Sequence, residues 1–285
     1  MKIITTISEL DAELSAAKTA HRSVGLVPTM GALHSGHMSL VKRSTVENDI
    51  TVVSIFVNPT QFNDKTDLAS YPRTPEADCQ LLEKEGATIA FVPSVETMYP
   101  EPDTRRFSYS PTDTVMEGGR RPGHFNGVCQ IVSKLFMLVK PDKAYFGEKD
   151  FQQIAVIKAM VKDLRLPVEI CACPIVREAS GLALSSRNQL LSPAEKALAA
   201  NIYRTLKESV DYAKTHAVSD TQQHVMQTLN EIDGLRVEYF EIVNGDTLQS
   251  VSSWEEAPYI VGCITVFCGS RPVRLIDNIK YKTPC

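Results

Sequence analysis

No apolar run in the 285 residues approaches the ~20 residues that a membrane-spanning helix needs, so no membrane partner is expected. Nor is there an excess of positive charge. Thirty Lys and Arg against 34 Asp and Glu leave a net charge of −4, with an isoelectric point near 5.9. That argues against the basic footprint of a nucleic-acid-binding protein, and any anionic substrate must be met by locally placed cations. The seven cysteines are odd in number and include no Cys-x-x-Cys pair. Cys171 and Cys173 alternate on one strand face, as small buried apolar residues do. Reduced thiols of this kind fit a cytoplasmic compartment. The opening Met1-Lys2-Ile3-Ile4-Thr5-Thr6 is too short and too polar for a signal peptide, which supports the same expectation. There is no internal repeat and no low-complexity tract. What is present is an ordinary globular composition, 43% hydrophobic and 22% charged, enough for one large or two modest domains.

One stretch organises the chain. Residues 24–27 read as a short buried strand, Pro28-Thr29-Met30-Gly31-Ala32-Leu33-His34-Ser35-Gly36-His37 follows, and residues 38–46 carry apolar side chains at helical spacing. Strand, glycine-containing turn and helix start is the arrangement that aims backbone N–H groups and a helix dipole at an anion. His34 and His37, three apart, face the same way if both lie in the first helical turn. Gly36 between them leaves room for a ligand against the backbone. Two imidazoles beside N–H donors suit a polyphosphate. Read as metal ligands, the pair lacks a third Cys, His or acidic partner at a usual spacing. Two capping or core histidines are the other alternative.

Residues 8–20 read as the first helix, with Ser8 as cap and Leu10, Leu14 and Ala17 on one face. Residues 50–57 are nearly all apolar and β-branched, a strand covered on both faces. They run into Asn58-Pro59-Thr60-Gln61-Phe62, beyond the carboxyl end of a strand, where ligands of such sheets bind; Asn58 and Gln61 stand in a site or in a plain turn. Thr74-Pro75-Glu76 starts a helix to about residue 85, with Asp78 in the first turn, where the dipole favours an acid. Residues 117–128 are rich in Gly and Pro and read as a structured loop aiming Arg120 and Arg121 at phosphates. A mostly buried helix follows over 127–140. Residues 143–146 form a second short strand that enters Gly147-Glu148-Lys149-Asp150-Phe151-Gln152-Gln153 and a helix to about residue 164. This repeats the first design with Lys149 as a point cation, although the bare pattern also describes a solvated turn. A strand over 168–176 completes the sheet. Residues 181–188 are a polar, glycine-led segment or linker, before a capping-box start at Ser192-Pro193-Ala194-Glu195. Helices over about 193–217 and 220–233 then precede strands over 235–243, 259–268 and 272–276. The alternation predicts an α/β protein: a Rossmann-like doubly wound parallel sheet over 1–176 and a smaller C-terminal α+β domain over 177–285.

The string Pro-Thr-Met-Gly-Ala-Leu-His-x-Gly-His at 28–37 resembles the HxGH signature of the nucleotidyltransferases and, in its full length, the pantothenate synthetase family. Phe56-Val57-Asn58-Pro59-Thr60-Gln61-Phe62, the stretch 117–128, Gly147-Glu148-Lys149-Asp150 and Leu184-Ser185-Ser186-Arg187 extend the resemblance in order over most of the chain. Cys129-Gln130-Ile131-Val132 departs from the commoner family spelling, inside a helix. The resemblance implies attack on the α-phosphate of ATP, with (R)-pantoate and β-alanine as the other substrates, Mg2+ on the phosphates and a homodimer. It implies His34, His37, Lys149 and Arg187 as catalytic. ATP would be bound by Met30, Gly31, Ala32, Leu33, His34, Ser35, Gly36, His37, Gly147, Glu148, Lys149, Asp150, Val176, Leu184, Ser185, Ser186 and Arg187. Gln61 and Gln153 would bind pantoate and β-alanine, 1–176 would hold ATP and pantoate, and 177–285 would act as a lid. Protein ligands of the metal stay open, with Asp78 a candidate.

That chemistry is coherent. A carboxylate is a poor acyl donor, and adenylation gives it AMP as a leaving group. Charge then builds at the α-phosphate and pyrophosphate, where a preorganised donor typically contributes about 10²–10³ in rate. Neutral amides such as Gln61 and Gln153 orient an attacking carboxylate without the neutralisation a bidentate Arg would bring. Pro28, Met30 and Phe62 offer an apolar wall for a methyl-bearing hydroxy acid. Two other readings share the motif: an adenylyltransferase acting on another small acceptor, which needs cations in the acceptor pocket, and a non-catalytic nucleotide sensor.

Overall fold

In the computed structural model, which describes residues 1–284, the first half of the chain folds around six parallel strands. They are β1 (Lys2–Ile4), β2 (Val24–Thr29), β3 (Ile50–Ile55), β4 (Ile89–Phe91), β5 (Lys143–Gly147) and β6 (Glu169–Cys173). The helices between them are α1 (Ile7–Thr19), α2 (Ser35–Glu47), α3 (Lys65–Ser70), α4 (Pro75–Lys84), α5 (Val95–Met98), α6 (Met116–Arg120), α7 (His124–Val139) and α8 (Phe151–Asp163). Short 3₁₀ turns occupy Pro59–Gln61, Glu148–Asp150 and Ser186–Leu190. Every residue of β3 is buried, because helices cover both faces. Leu26 and Val52 meet Leu10 of α1, Leu135 of α7 and Ile157 of α8. Their neighbours Val27 and Val53, one residue out of phase, meet Val41 of α2 and Leu82 of α4. Each such side chain, fully buried, contributes about 1.5–3 kcal/mol.

The strand order is β1-β4-β3-β2-β5-β6, so the winding reverses between β2 and β5. A crevice is expected at that switch point, and a proline deepens it. Val24 O accepts from Asp142 N–H on the β5 side and Thr29 O from Phe56 N–H on the β3 side. With a period of two, Pro28 therefore faces β5, and it has no N–H to give. Pairing between β2 and β5 is confined to Gly25 with Lys143 and Leu26 with Ala144, whereas pairing with β3 continues to Thr29. The two central strands part where the motif begins.

The second half carries α9 (Pro193–Tyr212), α10 (Val218–Asn230) and an antiparallel sheet of β7 (Leu235–Asn244), β8 (Ile260–Cys268) and β9 (Val273–Lys282). Ile202, Leu206 and Val225 from the helices cover Phe240, Ile242 and Ile264. On the other face, Tyr239, Val243 and Cys263 pack against Met116 of α6, Phe151 and Ala155. The small sheet is thereby seated on the first half of the chain.

Several local expectations are corrected. The cap of α1 is Thr6, not Ser8: its hydroxyl accepts from Glu9 N–H, and the Glu9 side chain returns to the Thr6 backbone. Thr6 has a Glu three residues on, the capping-box spacing, whereas Ser8 has the shorter Asp11 there. Residues 117–128 are not a loop but α6 and the start of α7, separated by Gly123 at φ +84°. Glu117 holds α6 in place by accepting from Arg274, Tyr239 and Thr265. The last parallel strand stops at Cys173, and the capping box at Ser192 and Glu195 is present as read.

Candidate active site

The turn after β2 owes its shape to a buried acid. Asp78, 1% exposed, accepts from Ala32 N–H (3.0 Å), Leu33 N–H (2.8 Å) and the Thr74 hydroxyl (3.1 Å). Gly31 N–H donates to the Thr29 hydroxyl oxygen. The N–H groups of 31–33 are therefore engaged within the protein, contrary to the expectation that they face an anion. Asp78 is likewise a brace of the turn, with its oxygens already bonded, and not a free first-turn charge.

The two histidines cap α2 reciprocally. Gly36 N–H donates to His34 Nδ1 (3.1 Å), and His34 N–H donates to His37 Nδ1 (3.3 Å). Their rings lie 4.0 Å apart. This explains the spacing: His34 folds back on its own helix, and a Cβ at Gly36 would come within 2.9 Å of the His34 ring. Gly36 thus makes room for the imidazole, besides lining the cavity described next. Both Nδ1 atoms accept, so in the neutral ring each proton sits on Nε2. Neutrality is favoured: burial, then the Lys149 charge, lowers the His34 pKa to about 4. Burial holds His37 well below 6.5, with His34 and Lys149 adding to it.

Both rings line a cavity of about 210 Å³ at the switch point. Met30, Gly36, Gly147, Lys149, Asp150, Val176, Leu184, Ser185, Ser186, Arg187, Gln61 and Gln153 line it too. Gly31, Ala32, Leu33, Ser35 and Glu148 do not. Ala32 and Leu33 are buried beneath the turn, and Glu148 is turned away to Lys280 at 2.9 Å. Gln61 is oriented by its neighbours. Asn58 Nδ2 donates to Gln61 Oε1 (3.0 Å), and the Gln61 Nε2 is left toward Met30 Sδ (3.1 Å). Asn58 is itself held by Tyr99 (2.8 Å) and by donating to Gly127 O (3.1 Å). The backbone of α7 approaches so closely that a Cβ at Gly127 would fall 2.3 Å from Thr60 O. Pro28 and Met30 line the cavity as the expected apolar wall, joined by Phe56, Val128 and Val132. Phe62 packs instead against Tyr71.

The segment 184–187 reaches over this cavity and is already anchored. Ser186 donates to Ala32 O (3.2 Å), Ser185 Oγ accepts from Arg187 N–H, and Arg187 pairs with Asp67 of α3 (2.9 Å). Neither of the predicted Arg cations of α6 and its end lines this cavity. Arg120 lies over the Tyr239 ring, and Arg121 faces a neighbouring cavity of about 70 Å³.

The sequence model of the pantoate-beta-alanine ligase family matches residues 2–280. The chain belongs to the pantoate–β-alanine ligase family. Curated relatives include the pantothenate synthetases of Bacteroides thetaiotaomicron, 66% identical over 99% of both chains, and of Porphyromonas gingivalis, 56% identical over 99% of this chain and 100% of the other. Among solved structures, pantothenate synthetase from Thermus thermophilus superposes with a TM-score of 0.92 at 41% identity, covering 99% of this chain and 100% of the other. A pantoate-beta-alanine ligase from Francisella tularensis, described as complexed with beta-gamma ATP and beta-alanine, gives 0.83 at 34% identity over 99% and 98%. An adenylyltransferase acting on another acceptor is not favoured by these findings, and the chain is an amide-forming ligase.

Some residues of the ligase site had no usable signal in the sequence. Asp67 and Tyr71, which line or approach the cavity from the segment after Gln61, belong to no motif that reasoning singled out. Asp78 was found as a charge, but its two N–H partners lie about 45 residues away in sequence. Among the described residues, no three His, Cys, Asp or Glu side chains gather as metal ligands. Mg2+ is commonly held by one or two carboxylates together with substrate phosphates. The Asp150 side chain, 43% exposed at the cavity wall, is a suitable oxygen donor for such a mode.

Proposed function

We propose that this ligase condenses (R)-pantoate with β-alanine, driven by ATP, to give pantothenate, AMP and pyrophosphate through a pantoyl adenylate. The observation that carries the proposal is the reciprocal histidine cap. It leaves two neutral Nε2–H donors side by side, in the same cavity as Lys149 and the Gln61 amide. Neutral donors match a phosphate whose charge grows during attack, and Lys149 and Arg187 supply the cationic part. Gln61, its amide fixed by Asn58, orients the attacking carboxylate, and Gln153 assists. The apolar wall accommodates the methyl groups. ATP lies along Met30, His34, Gly36, His37, Gly147, Lys149, Asp150, Val176, Leu184, Ser185 and Arg187, which line the cavity, and Arg187 exchanges Asp67 for the phosphates on binding.

Mg2+, held by the phosphates with Asp150, would neutralise charge on the departing pyrophosphate. The units 1–176 and 177–285 act as nucleotide-binding body and lid, excluding water from a hydrolysable adenylate. The homodimer rests on the resemblance alone. A cytoplasmic location rests on composition; among the described residues no helix is long and apolar enough to cross a membrane.

The test is product analysis with ATP, pantoate and β-alanine. Pyrophosphate release that requires pantoate, with AMP formed, is expected. ADP and phosphate would mean an acyl-phosphate route. Pyrophosphate release without pantoate would point to another acceptor, and none under any condition to a nucleotide sensor.

A further inference from the structure

Lys149 stands on a 3₁₀ turn whose backbone is gripped by the opposite end of the chain. Asn278, on β9, donates both amide hydrogens to consecutive carbonyls of that turn, Glu148 O at 2.8 Å and Lys149 O at 3.2 Å. It is 4% exposed. Two residues on, Lys280 clasps the Glu148 carboxyl with both oxygens at 2.9 Å. The preceding Asp277 accepts twice from Arg177 (2.6 and 2.9 Å), just beyond the Val176 that lines the cavity. The Asp277 carboxyl also accepts from Asn278 N–H (2.8 Å), which ties the two grips together. The Arg177 guanidinium is stacked 3.6 Å over the Tyr203 ring of α9.

We infer that Asn278 is a positioning residue for adenylation, acting through Lys149; the inference rests on the proposal that Lys149 meets the phosphates. A lysine is a point charge on a flexible stem, and its reach is set by where its backbone is held. A buried amide bridging two successive carbonyls fixes that backbone, and it does so from β9. The second half of the chain therefore sets the cation of the first half, besides contributing 184–187. Misplacing a catalytic group by about 1 Å costs on the order of 10² in rate.

The experiment is a double-mutant cycle on single-turnover pantoyl-adenylate formation in the full chain, using Asn278→Ala, Lys149→Ala and the pair. Asn278→Ala alone should slow the step by about 10–10²-fold with KM for ATP nearly unchanged. In the Lys149→Ala background the same change should cost less than about twofold, because the group it positions is gone. Independent, multiplying losses would overturn the inference and leave Lys149 in the site. Unaltered adenylation by Lys149→Ala would overturn the site proposal and this inference together. Thermal unfolding is followed for each variant. Should Asn278→Ala be unfolded at the assay temperature, Lys280→Met replaces it in the cycle. That residue is more exposed, and its expected loss is about 3–10-fold with the same non-additivity.

Discussion

Replacing Asp78 tests whether the motif turn is held from outside. Asp78→Ala removes the acceptor for Ala32 N–H and Leu33 N–H, both buried, and for the Thr74 hydroxyl. An orphaned buried donor costs about 1–3 kcal/mol, so the two backbone groups together amount to about 2–6 kcal/mol. Water entering the hole offsets part of this, leaving about 2–4 kcal/mol. Native stabilities of about 5–15 kcal/mol tolerate such a loss, and the melting temperature should drop by roughly 5–15 °C. Asp78→Asn keeps the volume and one acceptor but turns an amide N–H toward a backbone N–H, so about half that drop is expected. Ala32 sits at φ +48°, a strained conformation that persists only while its surroundings enforce it. Once released, the turn shifts His34 and His37, and adenylation should slow by about 10² at little-changed KM for ATP. Calorimetry and single-turnover kinetics on both variants read the two effects. An Asp78→Asn enzyme with a lowered melting temperature and wild-type adenylation would refute the coupling of brace to chemistry. An unchanged melting temperature with a raised magnesium requirement would instead make Asp78 a metal ligand.

Further outcomes follow from the geometry. His37→Ala should lower kcat and kcat/KM for adenylation by similar factors, about 10²–10³; a raised KM for ATP as its sole defect would make His37 a ground-state contact. Arg187→Ala should lose most of the adenylation rate while unfolding within a degree or two of the wild type, since a half-exposed ion pair contributes about 0.2–1 kcal/mol. Asp67→Asn, which frees Arg187, should lower KM for ATP, and a rise would show the pair to be productive as it stands. Stability should also depend on pH in the acid range. His34 and His124 are held to about 4, by burial first and then by Lys149 and Arg121 respectively, and His37 well below 6.5. The unfolded chain takes up these protons near pH 6.5 and the folded one does not until near 4, so stability is lost as pH falls through that window. His124→Asn, whose amide can still donate to Gln61 O, should flatten part of the slope measured by thermal unfolding between pH 7.5 and about 4.5.

The fold was legible because its signals are local. Buried β-branched runs at 50–55, the glycine-led turns and the Ser192 capping box each specify their own element. The sequence also placed Gln61 and Lys149 just beyond strand ends, and both line the cavity. It could not assign hydrogen-bond partners across long separations. The motif's N–H groups look free until Asp78 is brought to them by α4, and Ser186 looks like a phosphate ligand until Ala32 O claims its hydrogen. Arg120 and Arg121 show the converse: beside glycines they resemble phosphate cations, yet the C-terminal sheet draws Arg120 onto Tyr239. Composition reads which groups are available, and packing decides what they are bonded to.

The proline at position 28 carries a consequence for how this molecule can be improved. On its β5 side the central ladder lacks a rung, and Pro28 itself lines the cavity. Any substitution restoring an N–H there, Pro28→Val for example, would let the strands zip further and favour the fold by the route most often used to toughen a sheet. The same gain would narrow the space in which substrates react. Stability and turnover are thus opposed at one atom, and screens for heat resistance should avoid this position even though it reads as a defect in the sheet.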